Sequence, residues 1–452
     1  MNKGEFSVVP LNNGFSVVLN PYTFLWVLAT PSQVDKAKAY CEEMYDSLKD
    51  QLEKEVKFLT ESVAVDFIEL HLTSRCNMNC AYCYVPRNQR MKQAVMCKEE
   101  VESIICKLAE HIEREKSGIK RVIFHGGEPL LAKDSFFPII DKYYKDFEFG
   151  IQTNGTLMTE DDARFIKERN VHVSFSLDGP SAEVNDITRH YWSGKGTFND
   201  VARAITLFKN YEWTGVIVTI TKYNVDKLDL IAQRLYDWGV PSALFNPVSP
   251  SNSEAASLMP PLEVLTSNYK RLIDALIELN DKKNGKRLVI DNVESLIMAI
   301  LTSNFRVLYC HSAPCGAGRL VYVISSNGDV YPCSEFIQFK EFRCGNIFKE
   351  AVSEILNSEA CNILRCRKVD MIEECKSCAY RYICGANCPA SVYGLYRHML
   401  KKTPYCTFQK EIISYIFEKI SESGLDVAYK LVSKSFEDKL RRSEQVVHME
   451  EM

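Results

Sequence analysis

A chain of 452 residues, 46% apolar and 25% charged, exceeds one small domain and carries enough apolar side chains for a large core. A net charge of −4 leaves no basic footprint for nucleic acid, and no apolar run approaches the roughly 18 residues of a membrane-spanning helix. Met1–Phe6 lacks the charged start and apolar stretch of a secretory signal, so the 17 cysteines point to a reducing cytoplasm, where thiols serve as metal ligands more readily than as disulfides.

Residues 1–64 read as a prelude. Phe6–Val9 and Phe15–Leu19 flank Asn12-Asn13-Gly14, a hairpin signal. Pro31-Ser32 opens a helical pattern over Val34–Leu59. This segment is either an extension packed on the neighbouring domain or a peptide-docking module.

From Asp66 short apolar runs alternate with helical patterns. The expected strands are Phe67–Leu72, Val122–His125, Phe147–Thr153, Val171–Leu177, Val216–Ile220 and Ala243–Pro247. Helical patterns lie between them at Lys98–Glu115, Glu160–Arg169, Phe198–Lys209 and Lys227–Trp238. Such alternation predicts parallel strands joined by right-handed crossovers. Six units over residues 65–250 make an α/β partial barrel, with its chemistry at the C-terminal ends of the strands. Ser249–Pro261, rich in Ser, Asn and Pro, reads as a linker. Leu262–Asn280 and Val293–Leu301 then supply bridging helices within 251–305, before a cysteine-rich domain at 306–410 and a helical tail at 411–452.

Cys76, Cys80 and Cys83 follow the first expected strand at C-x3-C-x2-C spacing. A 4Fe–4S cube is normally held by four thiolates, so three leave one iron open. An open position marks a catalytic rather than a structural metal site. Zinc also suits thiolates and stays open as the alternative for this loop alone. With Tyr82 just before the third cysteine, the loop resembles the signature of radical S-adenosylmethionine (SAM) enzymes. The resemblance implies a partial (β/α)6 TIM barrel and an open iron that chelates the amino and carboxylate groups of SAM. It also gives the docking reading of residues 1–64 a reason, since relatives acting on ribosomal peptides hold the substrate's leader there.

The other strand ends carry motifs of the same kind. Gly126-Gly127-Glu128-Pro129 follows the second strand, where missing Cβ atoms admit a close ligand. By resemblance Gly126, Gly127 and Glu128 bind the amino group of SAM. Gln152-Thr153-Asn154-Gly155 offers polar side chains, or a plain turn. The resemblance assigns Ser176 and Arg189 to the carboxylate and ribose region of SAM, a task suited to the planar fork of Arg. Leu244 or Phe245 would pack near the adenine. The residues that carry out chemistry on the substrate stay unassigned.

Downstream, Cys315 precedes Gly328 and Cys333, followed by Cys375, Cys378, Cys384, Cys388 and Cys406. These spacings resemble the SPASM domain of radical SAM peptide maturases, with Cys310 as an eighth ligand. The resemblance implies two auxiliary 4Fe–4S clusters, one on Cys310, Cys315, Cys333 and Cys388, the other on Cys375, Cys378, Cys384 and Cys406. A zinc knuckle on Cys375–Cys388 is the alternative. Cys41, Cys97, Cys106, Cys344, Cys361 and Cys366 read as small buried side chains or free thiols. Sulfatase-maturing relatives carry an Asp after the cysteine that matches Cys333. Here Ser334 stands there, a poor base without a partner, followed by Glu335.

Together the resemblance implies a cytoplasmic radical SAM oxidoreductase with three 4Fe–4S clusters. It would generate a 5′-deoxyadenosyl radical and modify a peptide, as in thioether formation on a Cys-rich ribosomal peptide. Its partners would be a peptide or protein substrate and an electron donor such as flavodoxin or ferredoxin, without nucleic acid or membrane. The alternatives are a formylglycine-making anaerobic sulfatase-maturing enzyme and a non-catalytic iron–sulfur electron carrier.

Overall fold

Strands with one apolar edge and one polar edge must cover the apolar side, and here helices do so. The computed structural model describes residues 4–91, 94–115, 118–282, 285–303 and 305–441. The first three and last eleven positions of the expected prelude and tail therefore lie outside the described residues.

The chain opens with β1 (Ser7–Pro10), β2 (Ser16–Leu19) and β3 (Trp26–Ala29), which form an antiparallel sheet in that order. The expected hairpin is present, with Gly14 in the left-handed region at φ 89°. The third strand is an addition to that hairpin. The helix Val34–Glu61 packs its Ala37, Cys41, Tyr45 and Leu52 face against this sheet.

The central sheet contains β4 (Phe67–Thr73), β5 (Arg121–Gly126), β6 (Glu148–Thr153), β7 (His172–Ser176), β8 (Thr214–Ile220) and β9 (Ser242–Pro247). They lie side by side in sequence order and all are parallel. The helices Lys98–Glu115, Lys133–Tyr143, Glu160–Glu168, Phe198–Thr206 and Leu228–Trp238 form the crossovers. β10 (Val289–Ile290) extends the sheet beyond β9. At the other edge β11 (Val321–Ile324) runs parallel to β4, followed by antiparallel β12 (Asp329–Tyr331) and β13 (Gly345–Asn346). Among the described residues β10 and β13 are unjoined edges, so the barrel is partial.

Side chains alternate across each strand. Leu70 and Leu72, Phe124, Ile151, Phe175, Val218 and Phe245 are fully buried in the core shared with the helices. On the opposite face lie Glu69, His71, His125, Gln152, Ser174, Ser176, Thr219, Leu244 and Asn246. The inner face of the barrel is therefore mostly polar.

The expected linker after Ser249 holds a short helix, Ser253–Ala256, capped by the Asn252 side chain. Helices Leu262–Asn280 and Asp291–Leu301 bridge to the cysteine-rich region, and Cys406–Ser423 packs back on the first of them. Among the described residues no helix is long and apolar enough to cross a membrane.

Candidate functional site: a cysteine loop at the barrel mouth

The chain leaves β4 at its C-terminal end and enters the loop of Cys76, Cys80 and Cys83. Backbone bonds fix this loop from two sides. Cys76 N donates to Arg90 O at 3.0 Å, while Asn79 N and Ala81 N donate to His190 O and Thr188 O at 2.8 and 3.0 Å. Trp192 Nε1 donates to Cys76 O at 2.9 Å, and its ring lies under the guanidinium of Arg90.

The Gly-Gly turn after β5 packs directly on this loop. Gly127 N donates to Thr73 O at 2.7 Å, and Glu128 N donates to Arg75 O at 2.8 Å. A Cβ on Gly127 would stand 2.1 Å from Arg75 O, and one on Gly126 2.3 Å from Thr73 O. Both glycines are thus demanded by close backbone approach.

Glu128 is fully buried. Its carboxylate accepts from Leu130 N at 3.0 Å, Thr153 Oγ1 at 2.6 Å and Asn154 N at 2.8 Å. Burial raises its pKa against the pull of these donors. The side chain is committed to holding the turn after β6. Asn154, on that turn, reaches Cys76 Sγ with its amide nitrogen at 3.8 Å and Asn77 Oδ1 at 2.9 Å.

Tyr82, Asp178 and Arg189 form a buried network. Tyr82 Oη donates to Asp178 Oδ2 and accepts from Arg189 Nη1, both at 2.5 Å. Asp178 Oδ1 accepts from Thr219 N at 2.8 Å, and burial raises the carboxyl's pKa. Among the described residues Arg189 Nε has no hydrogen-bond partner. Ser176 and Leu244 lie on the inner face, whereas Phe245 faces the helices. Of the two adenine candidates only Leu244 is on the side of the site.

The structure groups the downstream cysteines as two sets. Cys375, Cys378, Cys384 and Cys406 line one cavity, together with Arg381, Lys402 and Lys410. Cys315, Cys333 and Cys388 pack in a second cluster. Cys310 joins them: its thiol is raised well above the usual range by burial first, then by Cys388 and Cys315. Its side chain is exposed to solvent. Of the other thiols, Cys41, Cys344 and Cys361 are buried, and Cys97, Cys106 and Cys366 are exposed.

The buried thiols of the loop call for a positive centre. Burial, followed by neighbouring negative groups, pushes Cys76 up to about 12 and Cys83 to about 11, so bare thiolates are disfavoured without a positive centre. Three thiolates on one loop suit a multi-iron cube with one iron left open. Buried unpaired donors stand ready for its charge: Arg90 Nε and Arg189 Nε near the first loop, and both Nη atoms of Arg367, which feels Cys315, Cys388, Cys375 and Cys384.

Several participants carry no signal in the sequence. Arg90, Trp192 and the Thr188–Tyr191 backbone belong to no motif. Glu335, by contrast, turns inward: Ser249 Oγ donates to its Oε2 at 3.0 Å, and burial raises its pKa. Ser334 Oγ donates to Glu69 on β4. Tyr84 lies near Glu69, Cys83, Glu335 and Cys333, and its hydroxyl lacks a partner.

Comparison with known proteins places this geometry. The radical SAM superfamily matches residues 70–235, and the iron–sulfur cluster-binding SPASM domain matches residues 315–379. An uncharacterized protein of Archaeoglobus fulgidus is 35% identical over 419 residues, covering 93% of this chain and 95% of the relative. A cysteine-type anaerobic sulfatase-maturating enzyme of Clostridium perfringens is 28% identical over 368 residues, 77% of this chain and 95% of its own. The solved anSMEcpe with bound AdoMet and Cp18Cys peptide superposes with a TM-score of 0.69 at 24% identity, covering 80% of this chain and 99% of that one. That likeness shows the shared fold.

Proposed function

Since the chain belongs to the radical SAM superfamily and carries the SPASM iron–sulfur domain, we propose that it is an oxidoreductase that modifies a peptide or protein side chain by radical chemistry. One observation carries this reading. Cys76, Cys80 and Cys83 stand where β4 opens onto a polar inner face, clamped by the Gly126-Gly127-Glu128 and Thr188–Trp192 segments.

A cluster and SAM held there would supply the one-electron chemistry that removes a hydrogen atom from an unactivated carbon. The thiolates of Cys76, Cys80 and Cys83 would hold the cluster. The Asn154 amide and the guanidinium groups of Arg90 and Arg189 offset the negative charge around them. Gly126 and Gly127 let backbone come close to the amino end of SAM. Ser176 and the free Nε of Arg189 orient its carboxylate and ribose, Tyr82 positions Arg189, and Leu244 offers an apolar contact to the adenine. Glu128 acts through Asn154, because its own oxygens are already engaged.

The two downstream cysteine sets would hold auxiliary clusters and carry the leftover electron away, with potentials set by local charge such as Arg367. A flavodoxin or ferredoxin would supply the first electron, in the cytoplasm, where reducing conditions keep cysteines out of disulfides and available as ligands. Thioether formation on a Cys-rich peptide is the reading we favour because Ser334 lacks a carboxylate, while the inward-turned Glu335 is the group that would serve formylglycine formation as the alternative. The apolar groove between β3 and the helix Val34–Glu61, lined by Phe24, Trp26, Tyr40, Met44 and Leu48, supports a docking role for the substrate's leader. The test is anaerobic incubation of the iron-loaded protein with SAM and dithionite. Formation of 5′-deoxyadenosine is expected; none, even with candidate peptides, overturns the reading.

A further inference from the structure

Three metal-binding side chains converge on the inner face of the barrel, beside the cysteine-rich region. Glu69 and His71 lie on β4, two residues apart and so on the same face. His125 lies on β5 directly beside His71 in the register. His125 Nδ1 is 2.9 Å from His71 Nε2, and Glu69 Oε2 is 3.6 Å from that same Nε2. All three ligand atoms fall within 4.8 Å of one another. His71 is 4% exposed.

Hydrogen bonding alone serves this arrangement poorly. A neutral ring nitrogen carries either one proton or one lone pair. If His71 Nε2 donates to His125 Nδ1, Glu69 at 3.6 Å is left with only a long, shared contact to it. If Nε2 accepts from His125, its lone pair also faces the carboxylate. One cation at the point of convergence satisfies all three groups.

We propose that Glu69, His71 and His125 form a binding site for a single divalent transition-metal ion inside the barrel, with coordination positions left open to the lumen. Two imidazoles and one carboxylate suit zinc, iron or cobalt. They do not suit calcium or magnesium, which take oxygen ligands. Bonds of about 2.0–2.2 Å reach across at most about 4.4 Å, so the three ligand atoms would draw together by a few tenths of an ångström around the ion. Ser334 donates to Glu69 from outside, the kind of support that orients a ligating carboxylate. Because Ser334 follows Cys333, the ion would connect the barrel lumen to the cysteine-rich region. This rests on the peptide-modifying function: an open position there would take a thiolate, carboxylate or carbonyl of the bound peptide.

The test is independent of activity. Cluster-loaded, chelator-washed enzyme is dialysed anaerobically against low-micromolar zinc, and zinc, iron and sulfide per chain are measured. Wild type should retain one zinc more per chain than His71→Gln or Glu69→Gln, and binding in those variants should be at least tenfold weaker at unchanged iron. Equal zinc in wild type and variants overturns the site. Should a variant lose its iron, zinc-edge X-ray absorption of wild type decides alone. Nitrogen and oxygen scattering with imidazole features supports the site, and sulfur-dominated scattering overturns it.

Discussion

The carboxylate of Glu128 accepts the backbone amide of Asn154 at 2.8 Å, and Asn154 extends its own amide to the sulfur of Cys76. A residue one strand away from the cysteine loop therefore sets the polarity around its first thiolate. Glu128→Ala strands three buried donors at once. Each such loss costs about 1–3 kcal/mol. We expect a clear drop in thermal midpoint, at least tenfold slower SAM cleavage, and normal iron at the downstream cysteines. A variant with wild-type cleavage would show the clamp to be dispensable.

Gly127→Ala should be worse for the first cluster than for the fold. Its Cβ would meet Arg75 O at 2.1 Å and Ser74 O at 2.5 Å, both backbone atoms of the cysteine loop. The loop must shift, so about four of the roughly twelve irons expected for three cubes should be lost. Gly118→Ala is the control, because its nearest neighbour is Val65 O at an ordinary 3.8 Å. Equal iron in the two variants would contradict the packing argument.

Cys80→Ala separates the cysteine sets. It should abolish 5′-deoxyadenosine formation while about eight irons per chain remain. Cleavage that persists in this variant would refute the assignment of the first loop.

Arg189 and Asp178 are both almost wholly buried, 3.9 Å apart, with Tyr82 between them. Arg189→Met leaves Asp178 and Tyr82 without their positive partner, a loss of about 3–5 kcal/mol for a broken buried pair. Arg189→Lys should recover part of the stability and little of the SAM affinity, because an ammonium cannot reproduce the guanidinium fork. Denaturant midpoints and SAM binding read the two effects separately.

Asp291 gives a pH signature far from the cysteines. Burial raises its carboxyl to about 7, against a hydrogen bond from Ser242 Oγ at 2.7 Å and with Glu294 adding to the rise. The native state keeps this proton to about pH 7, while the unfolded chain loses it near pH 4. Stability must fall as pH rises through that window and level off above it, by an amount on the order of 4 kcal/mol. Asp291→Asn has no proton to lose, so it should gain on wild type from about pH 4.5 to about pH 7. Urea midpoints that run parallel across that range would sink the idea.

The barrel is legible in the sequence because its strands are short, regularly spaced and separated by helical periodicity. All six central strands fall within two residues of their expected ends. The cysteine and glycine motifs are legible because their chemistry needs particular atoms at particular spacings. Glu69 and His71 hide inside a run that reads as apolar, although their period-two spacing marks one face. His125 becomes their neighbour only through the register of β4 and β5. The Thr188–Tyr191 clamp works through backbone carbonyls, which leave no trace in side-chain identity. β11 escapes a reading by pattern because four consecutive buried residues show no alternation, and its partner lies some 250 positions upstream.

That last pairing decides what happens to a shortened protein. A fragment ending after the helix Asp291–Leu301 would keep every SAM-side motif yet leave the outer edge of β4 bare, with its amide and carbonyl groups unmatched along Phe67–Leu70. Such an edge is a template for self-association. The cysteine-rich half thus doubles as a lid on a sticky seam, and deleting it to obtain a minimal catalyst should yield insoluble aggregates before any question of chemistry arises.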